Sequence, residues 1–136
     1  MKRTITRIIA MLWLYSYEIN NETKLDDIIN ILGEDIVYDE KFLLQLIDGV
    51  LNNIDEIDHI ISIYIKKYTI DRLNIVDKNL VRIGVYELKY LKTPKSIIIN
   101  EIVEISKEYS EVENYDSSKF NNSLLDAIAK GLSDGR

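Results

Sequence analysis

Lys2, Arg3 and Arg7 open the chain with two guanidinium groups four residues apart, a spacing that places them on one face of a helix. Arginine forks pair with phosphate oxygens and base edges, so this face could meet RNA. The same arrangement also suits the solvated first turns of an amphipathic helix. Lys78, Arg82 and Lys89 form a second basic line, within about 40° of one another on a helical projection. Catalytic chemistry is harder to assemble. His59 is the single histidine and has no serine at a spacing that suggests a nucleophile–base pair, so a solvated or capping role suits it better. Asp26-Asp27 and Glu34-Asp35 lie among other acidic positions and read as surface charge. The glycines are too scattered for a phosphate loop, and without cysteine there is neither a disulfide nor a thiolate metal site. These residues predict a non-enzyme with no metal and no cofactor.

These side chains must be carried by helices. From Asp77, the residues Leu80, Val81, Gly84, Val85, Leu88 and Leu91 recur at steps of three and four. Asp77 is placed to cap that helix, and Thr93-Pro94 to stop it. Ser96 can cap a following helix with Ile98, Ile99, Ile102, Val103, Ser106 and Tyr109 on its stripe. The same periodicity predicts a first helix over Arg3–Ile19 with Ile5, Ile8, Ile9, Leu12 and Ser16 inward. A second would open at a Thr23-x-x-Asp26 capping box and close at Gly33. Asp39 would cap a third, Ile57 to Tyr68 would form the stripe of a fourth, and Ser117 or Ser118 would begin a seventh that ends at Gly131. With no alternating strand pattern and no obvious linker, residues 1–136 read as a single all-α domain, a compact bundle of about seven helices.

Three blocks of these residues resemble the signature of the NusB family, the bacterial transcription antitermination factors. The first is Arg7-x-x-Ala10-x-x-x-Leu14-Tyr15-x-x-Glu18. The second comprises Asp77, Leu80, Arg82, Tyr86-Glu87-Leu88, Pro94 and Asn100-Glu101. The third is Lys119-Phe120-x-Asn122-x-x-Leu125-Asp126. Their order and spacing cover nearly the whole chain, which is more specific than any one of them.

The resemblance implies a NusB-like helical bundle that binds boxA-like single-stranded RNA together with the ribosomal protein NusE, within the RNA polymerase antitermination complex on ribosomal RNA operons. It implies RNA contacts at Lys2, Arg3, Arg7 and Tyr15, and again at Asp116, Lys119 and Phe120. There a lysine can meet phosphate and a phenylalanine can stack on a base, although Phe120 could equally anchor its helix in the core. Asp116 would repel phosphate, so its part is to order the loop or limit affinity. The resemblance also implies a partner-facing edge at Asp77, Lys78 and Arg82. The competing reading makes Asp77 a helix cap and pairs Arg82 with Glu101 or another carboxylate. Thr4, Ile5 and Thr6 stand where many family members are more basic.

Charge distribution bears on both surfaces. The net charge is −6, yet residues 66–107 hold nine basic and five acidic side chains, while residues 1–65 hold five and twelve. That balance argues against a general nucleic-acid coat, but a confined anionic contact is compatible with it. The longest apolar run, Ile8–Tyr15, is far short of the ~20 residues that span a bilayer, and no signal-peptide pattern precedes it, so a cytoplasmic protein is expected. A rival class is a helical protein-interaction module that binds a protein without recognising RNA. Whether the free protein is a monomer or a homodimer that hides its RNA face stays open.

Overall fold

The computed structural model describes residues 2–65, 70–109 and 117–134. These form seven α-helices: α1 (Lys2–Ile19), α2 (Leu25–Leu32), α3 (Glu40–Asn52), α4 (Ile54–Tyr64), α5 (Ile75–Tyr86), α6 (Lys95–Tyr109) and α7 (Ser117–Ser133). A 3-10 turn, Ile70–Arg72, precedes α5, and a π-helical turn, Glu87–Leu91, extends it. No helix among the described residues is long and apolar enough to cross a membrane.

α5 is the axis of the bundle. It packs against α1, α3, α4, α6 and α7. Its buried residues include Leu80, Val81, Ile83 and Val85, which have no exposed surface, together with Asp77, Lys78 and Asn79. A single apolar stripe predicted only one buried face, and the structure buries α5 almost all round, because polar side chains on its other face find internal partners. Gly84 lies against Leu125 of α7, where a Cβ would come within 2.9 Å of a leucine methyl.

The ends of the helices follow local chemistry, with three departures from expectation. Asp39 caps α3 as predicted, its Oδ1 accepting the Phe42 amide at 3.0 Å. Gly33 closes α2 at φ 124°, in the left-handed region that suits glycine. Asp77, however, does not cap α5. Asn74 does, accepting from the amides of Val76 and Asp77, which leaves Asp77 inside the first turn. Thr23 likewise makes no capping box. Its hydroxyl donates back to the Asn20 carbonyl, and the cap position falls to Lys24, whose side chain makes no capping bond. Ser96 is the second residue of α6, so it does not cap that helix either, and the Pro94 carbonyl accepts the amides of Ile97 and Ile98 instead.

The break at Thr93-Pro94 is observed. Lys92 turns the chain in a left-handed conformation, and the Thr93 amide returns to the Glu87 carbonyl at 3.0 Å. α1 begins at Lys2 and presents Thr6, Ile9, Ala10, Met11 and Leu14 to the interior, while Ile5, Ile8 and Leu12 pack only at its edge. In α6 the buried apolar positions are Ile98, Ile102 and Ile105, with Tyr109 38% exposed. Tyr68, expected on the fourth helix, lies outside the described residues.

Candidate functional site

Arg7 is the largest departure from the sequence reading. Its side chain is only 4% exposed. Nε and Nη2 donate to the two carboxylate oxygens of Glu87 at 2.6 and 2.8 Å, and Nη1 donates to Glu101 at 2.7 Å. Spacing put Arg3 and Arg7 on one face, but that face looks inward at the second turn of α1, toward the π-turn and α6. Arg7 is therefore an internal tie, and the phosphate contact expected of it is corrected: its fork is already filled by carboxylates.

The threonines beside it have similar work. Thr4 donates to Glu101 at 2.6 Å, and the Thr6 hydroxyl accepts the Asp39 amide at 2.9 Å, joining α1 to the start of α3. Lys2 and Arg3 remain exposed. Arg3 lies over the Phe42 ring at 4.0 Å from its centroid, 4.0 Å from Asp39, with its side chain 60% exposed.

The second basic line is also occupied. Lys78 donates to Glu18 at 2.5 Å, and its side chain is 8% exposed. Arg82 forks onto Asp58 with two bonds of 2.8 Å and reaches Glu18 at 3.1 Å. Lys89 stands 3.5 Å from Glu56. Asp77 has no exposed surface, and its Oδ1 accepts from Asn121 of α7 at 3.0 Å. Asp77 and Lys78 are thus inside the bundle, and Arg82 is 12% exposed, so the expected partner-facing edge is corrected to a clasp that holds α1, α4 and α7 on α5. The carboxylate opposite Arg82 is Asp58, not Glu101. In the last motif block Asn121 is the buried asparagine, while Asn122 is exposed.

Burial raises the Glu18 carboxyl, but the hydrogen bond and charge of Lys78, followed by Arg82, outweigh it and hold the group below its ordinary value of 4.5. A depressed carboxyl contributes stability that is fully present above the unfolded value and lost as pH falls through the folded one. Glu18→Gln should therefore lower the melting temperature near neutral pH and lose that difference as the pH drops below about 4.5, as a thermal-melt series across pH would record. A constant difference at every pH would contradict this role for the clasp.

The remaining predicted contacts lie apart. Lys119 is exposed, and Phe120 is half-buried against the core. Tyr15 is half-buried, and Asp116 lies outside the described residues. α1 and α5 run antiparallel, since Arg7 meets Glu87 and Glu18 meets Lys78. α5 and α7 run in the same direction, since Asp77 meets Asn121 and Gly84 meets Leu125. Lys2 and Arg3 therefore sit at the carboxyl-terminal end of α5, and Lys119 and Phe120 at its amino-terminal end, while Tyr15 lies between the two ties of α1 to α5. The 12 residues of α5 separate those ends by about 18 Å. No group of three or more His, Asp or Glu among the described residues is placed to hold a metal ion. His59 is exposed, as are Asp26, Asp27, Glu34 and Asp35.

The chain matches the NusB family over residues 4–130. It belongs to the NusB family. It is 39% identical to a transcription antitermination protein NusB of Thermodesulfovibrio yellowstonii, over 96% of this chain and 93% of that protein. Its fold is similar to that of T. maritima NusB, with a TM-score of 0.79 and 34% identity over 96% of this chain and 92% of that one. A chain in a crystal structure of antitermination factors NusB and NusE in complex with dsRNA matches with a TM-score of 0.76 and 28% identity, over 94% of this chain and 96% of that one. This is a non-catalytic family of transcription antitermination factors, in accord with the absence of catalytic spacing in the sequence. Among the NusB motif residues, Arg7, Glu87 and Glu101 make one network, buried at Arg7 and Glu87 and partly exposed at Glu101. Sequence reasoning used all three to recognise the family and missed that they bind one another. It also passed over Lys92, Lys95 and Lys130: the first two stand three residues apart on either side of the Thr93-Pro94 break, and Lys130 joins them only through the packing of α7 beside the turn after α5.

Proposed function

We propose that this protein is an antitermination factor that binds boxA-like single-stranded RNA together with NusE, and that the pair acts on the transcript emerging from RNA polymerase to keep transcription of ribosomal RNA operons processive. The observation that carries the proposal is the likeness, over 94% of the chain, to a chain in a crystal structure of antitermination factors NusB and NusE in complex with dsRNA, and the single-stranded boxA-like target is the finer part of the proposal. The surface chemistry is in keeping with it. Lys2 and Arg3 at one end of α5, and Lys119 with the partly exposed Phe120 at the other, supply cations and an aromatic face along a strand-length path.

With Arg7 internal, this chain's own electrostatic site is small. A second site on NusE would join it into one longer track, so the complex would hold RNA more tightly than either protein alone. The partner would meet the bundle over the clasp itself, at the 470 Å³ hollow where Glu18, Asp71, Lys78 and Arg82 stand beside Tyr17 and the aliphatic Leu51 and Ile54, so both charge signs and apolar surface are offered.

Mixed with NusE, the protein should elute as a complex of summed mass by size-exclusion light scattering, and labelled boxA-like RNA should travel with that peak. Separate elution of the two proteins would overturn the partner assignment. The rival reading, a protein-interaction module without RNA recognition, draws support from the removal of Arg7 from the surface. It predicts co-elution with NusE and no RNA in the peak.

A further inference from the structure

We propose that a lysine-lined cavity between the π-turn, the start of α6 and the end of α7 holds the sugar–phosphate backbone of RNA flanking the recognised element. This rests on the RNA-binding reading above. The cavity measures about 770 Å³ and is lined by Lys89, Lys92, Lys95, Lys130, Asp126 and Tyr90, with Leu88, Ala129 and Leu132 as an apolar floor. Four lysines against Asp126 and the neighbouring Glu56 leave a local charge of +2 (4 − 2) in a protein of net charge −6. Lys95 is paired with Asp126 at 2.6 Å, and Lys89 with Glu56 at 3.5 Å. Among the described residues, the ammonium groups of Lys92 and Lys130 make no ion pair within 4.0 Å, and both residues are exposed. The Lys95 hydrogen bond and charge, with Lys130 adding to them, hold the Asp126 carboxyl below its usual range, so Lys130 stands close to this cluster.

Backbone geometry supports the placement. Lys92 adopts φ 57° and ψ 30°, a left-handed conformation that side-chain-bearing residues rarely adopt. It follows a π-turn, an element often found at functional positions. Together they carry Lys89, Lys92 and Lys95 around a single corner beside Lys130 of α7.

The chemistry selects a nucleic-acid backbone. Lysine acts as a mobile point charge suited to phosphate and carries no fixed fork to read base edges. The volume exceeds what one inorganic phosphate needs, and an apolar floor between cations suits the sugar between phosphates. The position fits too. Thr93 lines the cavity and donates to Glu87, the carboxylate that holds Arg7, one turn from Arg3. The cavity therefore shares the end of α5 from which Lys2 and Arg3 project, and an RNA that contacts those two residues has its next phosphates within reach.

The test compares the protein with its Lys92→Gln/Lys130→Gln variant, each in complex with NusE. Anisotropy would be read on a boxA-like RNA and on the same RNA extended by a run of uridines or of adenosines. The extension should tighten binding to the unmodified protein by roughly tenfold, equally for both bases. The variant should lose that gain, and its salt slope on the extended RNA should fall by about 1.4, at ~0.7 per phosphate contact. Its affinity for the unextended RNA should stay within about twofold. An extension gain that survives in the variant, or no gain in the unmodified protein, overturns the cavity assignment while RNA binding itself stands. Failure of the unmodified complex to bind any of these RNAs overturns the underlying RNA reading and the cavity with it. An oligoglutamate peptide that binds the cavity when the extended strand does not would assign it to an acidic protein segment instead. Because both lysines are exposed, a matching melting temperature for the variant is expected, and Lys92→Gly/Lys130→Gln, which relieves the left-handed backbone, provides a second fold-neutral route to the same comparison.

Discussion

Arg7→Ala should lower the free energy of unfolding by about 3–5 kcal/mol, the cost of breaking a buried ion pair by removing one partner. The Glu87 side chain is fully buried, and two of its bonds come from Arg7. Alanine would leave that carboxylate in the interior with the Thr93 hydroxyl and no compensating cation. Glu101 would keep Thr4 and some solvent access, so the loss concentrates at Glu87. The double variant Arg7→Met/Glu87→Gln should recover much of the stability, because replacing a buried pair is far cheaper than halving it. Urea unfolding would show this as a fall in midpoint at an unchanged slope. A change within about 0.5 kcal/mol, as for an ordinary surface position, combined with weaker RNA binding would return Arg7 to the RNA-contact role.

Arg3→Ala/Lys119→Ala should produce the opposite pattern: roughly tenfold weaker binding of boxA-like RNA by the NusE complex, with little change in stability. Both side chains are exposed, one at each end of α5. Each is expected to meet one phosphate, so the dependence of log affinity on log salt should flatten by about 1.4 for the pair. The cation–π contact of Arg3 with Phe42 limits the stability loss from that substitution to about 0.5–1 kcal/mol. Salt titrations of RNA anisotropy beside thermal melts would separate the two effects. Unchanged RNA affinity in the double variant would remove these two residues from the interface.

The contrast between Arg3 and Arg7 shows what could be read from sequence. Helical spacing states that two residues share a face, and here that is correct. It does not state what the face looks at. Glu87 lies 80 positions from Arg7 and Glu101 lies 94, and only the packing of α1 against α5 and α6 brings them together. Lys78 and Arg82 failed in the same way. Their charges read as a solvent-facing line until Glu18 and Asp58, from two other helices, close over them. Features set within a few residues were more accessible: the Asp39 cap, the glycine close of α2 and the Thr93-Pro94 break all depend on backbone sterics and a local hydrogen bond. Asp77, Thr23 and Ser96 are the local exceptions: Asn74 caps α5 in place of Asp77, the Thr23 hydroxyl turns back to donate to the Asn20 carbonyl, and Ser96 falls inside α6. The lysine cavity was not legible in the chain, because Lys89, Lys92 and Lys95 fall on either side of a helix break whose left-handed corner at Lys92 aims them, and Lys130 reaches them only from the end of α7.

The central claim is that this chain and NusE form one RNA-binding unit selective for a boxA-like sequence. Its most direct test is a fluorescence-anisotropy titration of labelled boxA-like and scrambled single-stranded RNAs, with a duplex control, each with and without NusE. The account predicts weak binding by the protein alone, and with NusE a gain of at least tenfold for the boxA-like strand over the scrambled one. Equal affinity for the two single strands, or no gain on adding NusE, would contradict it.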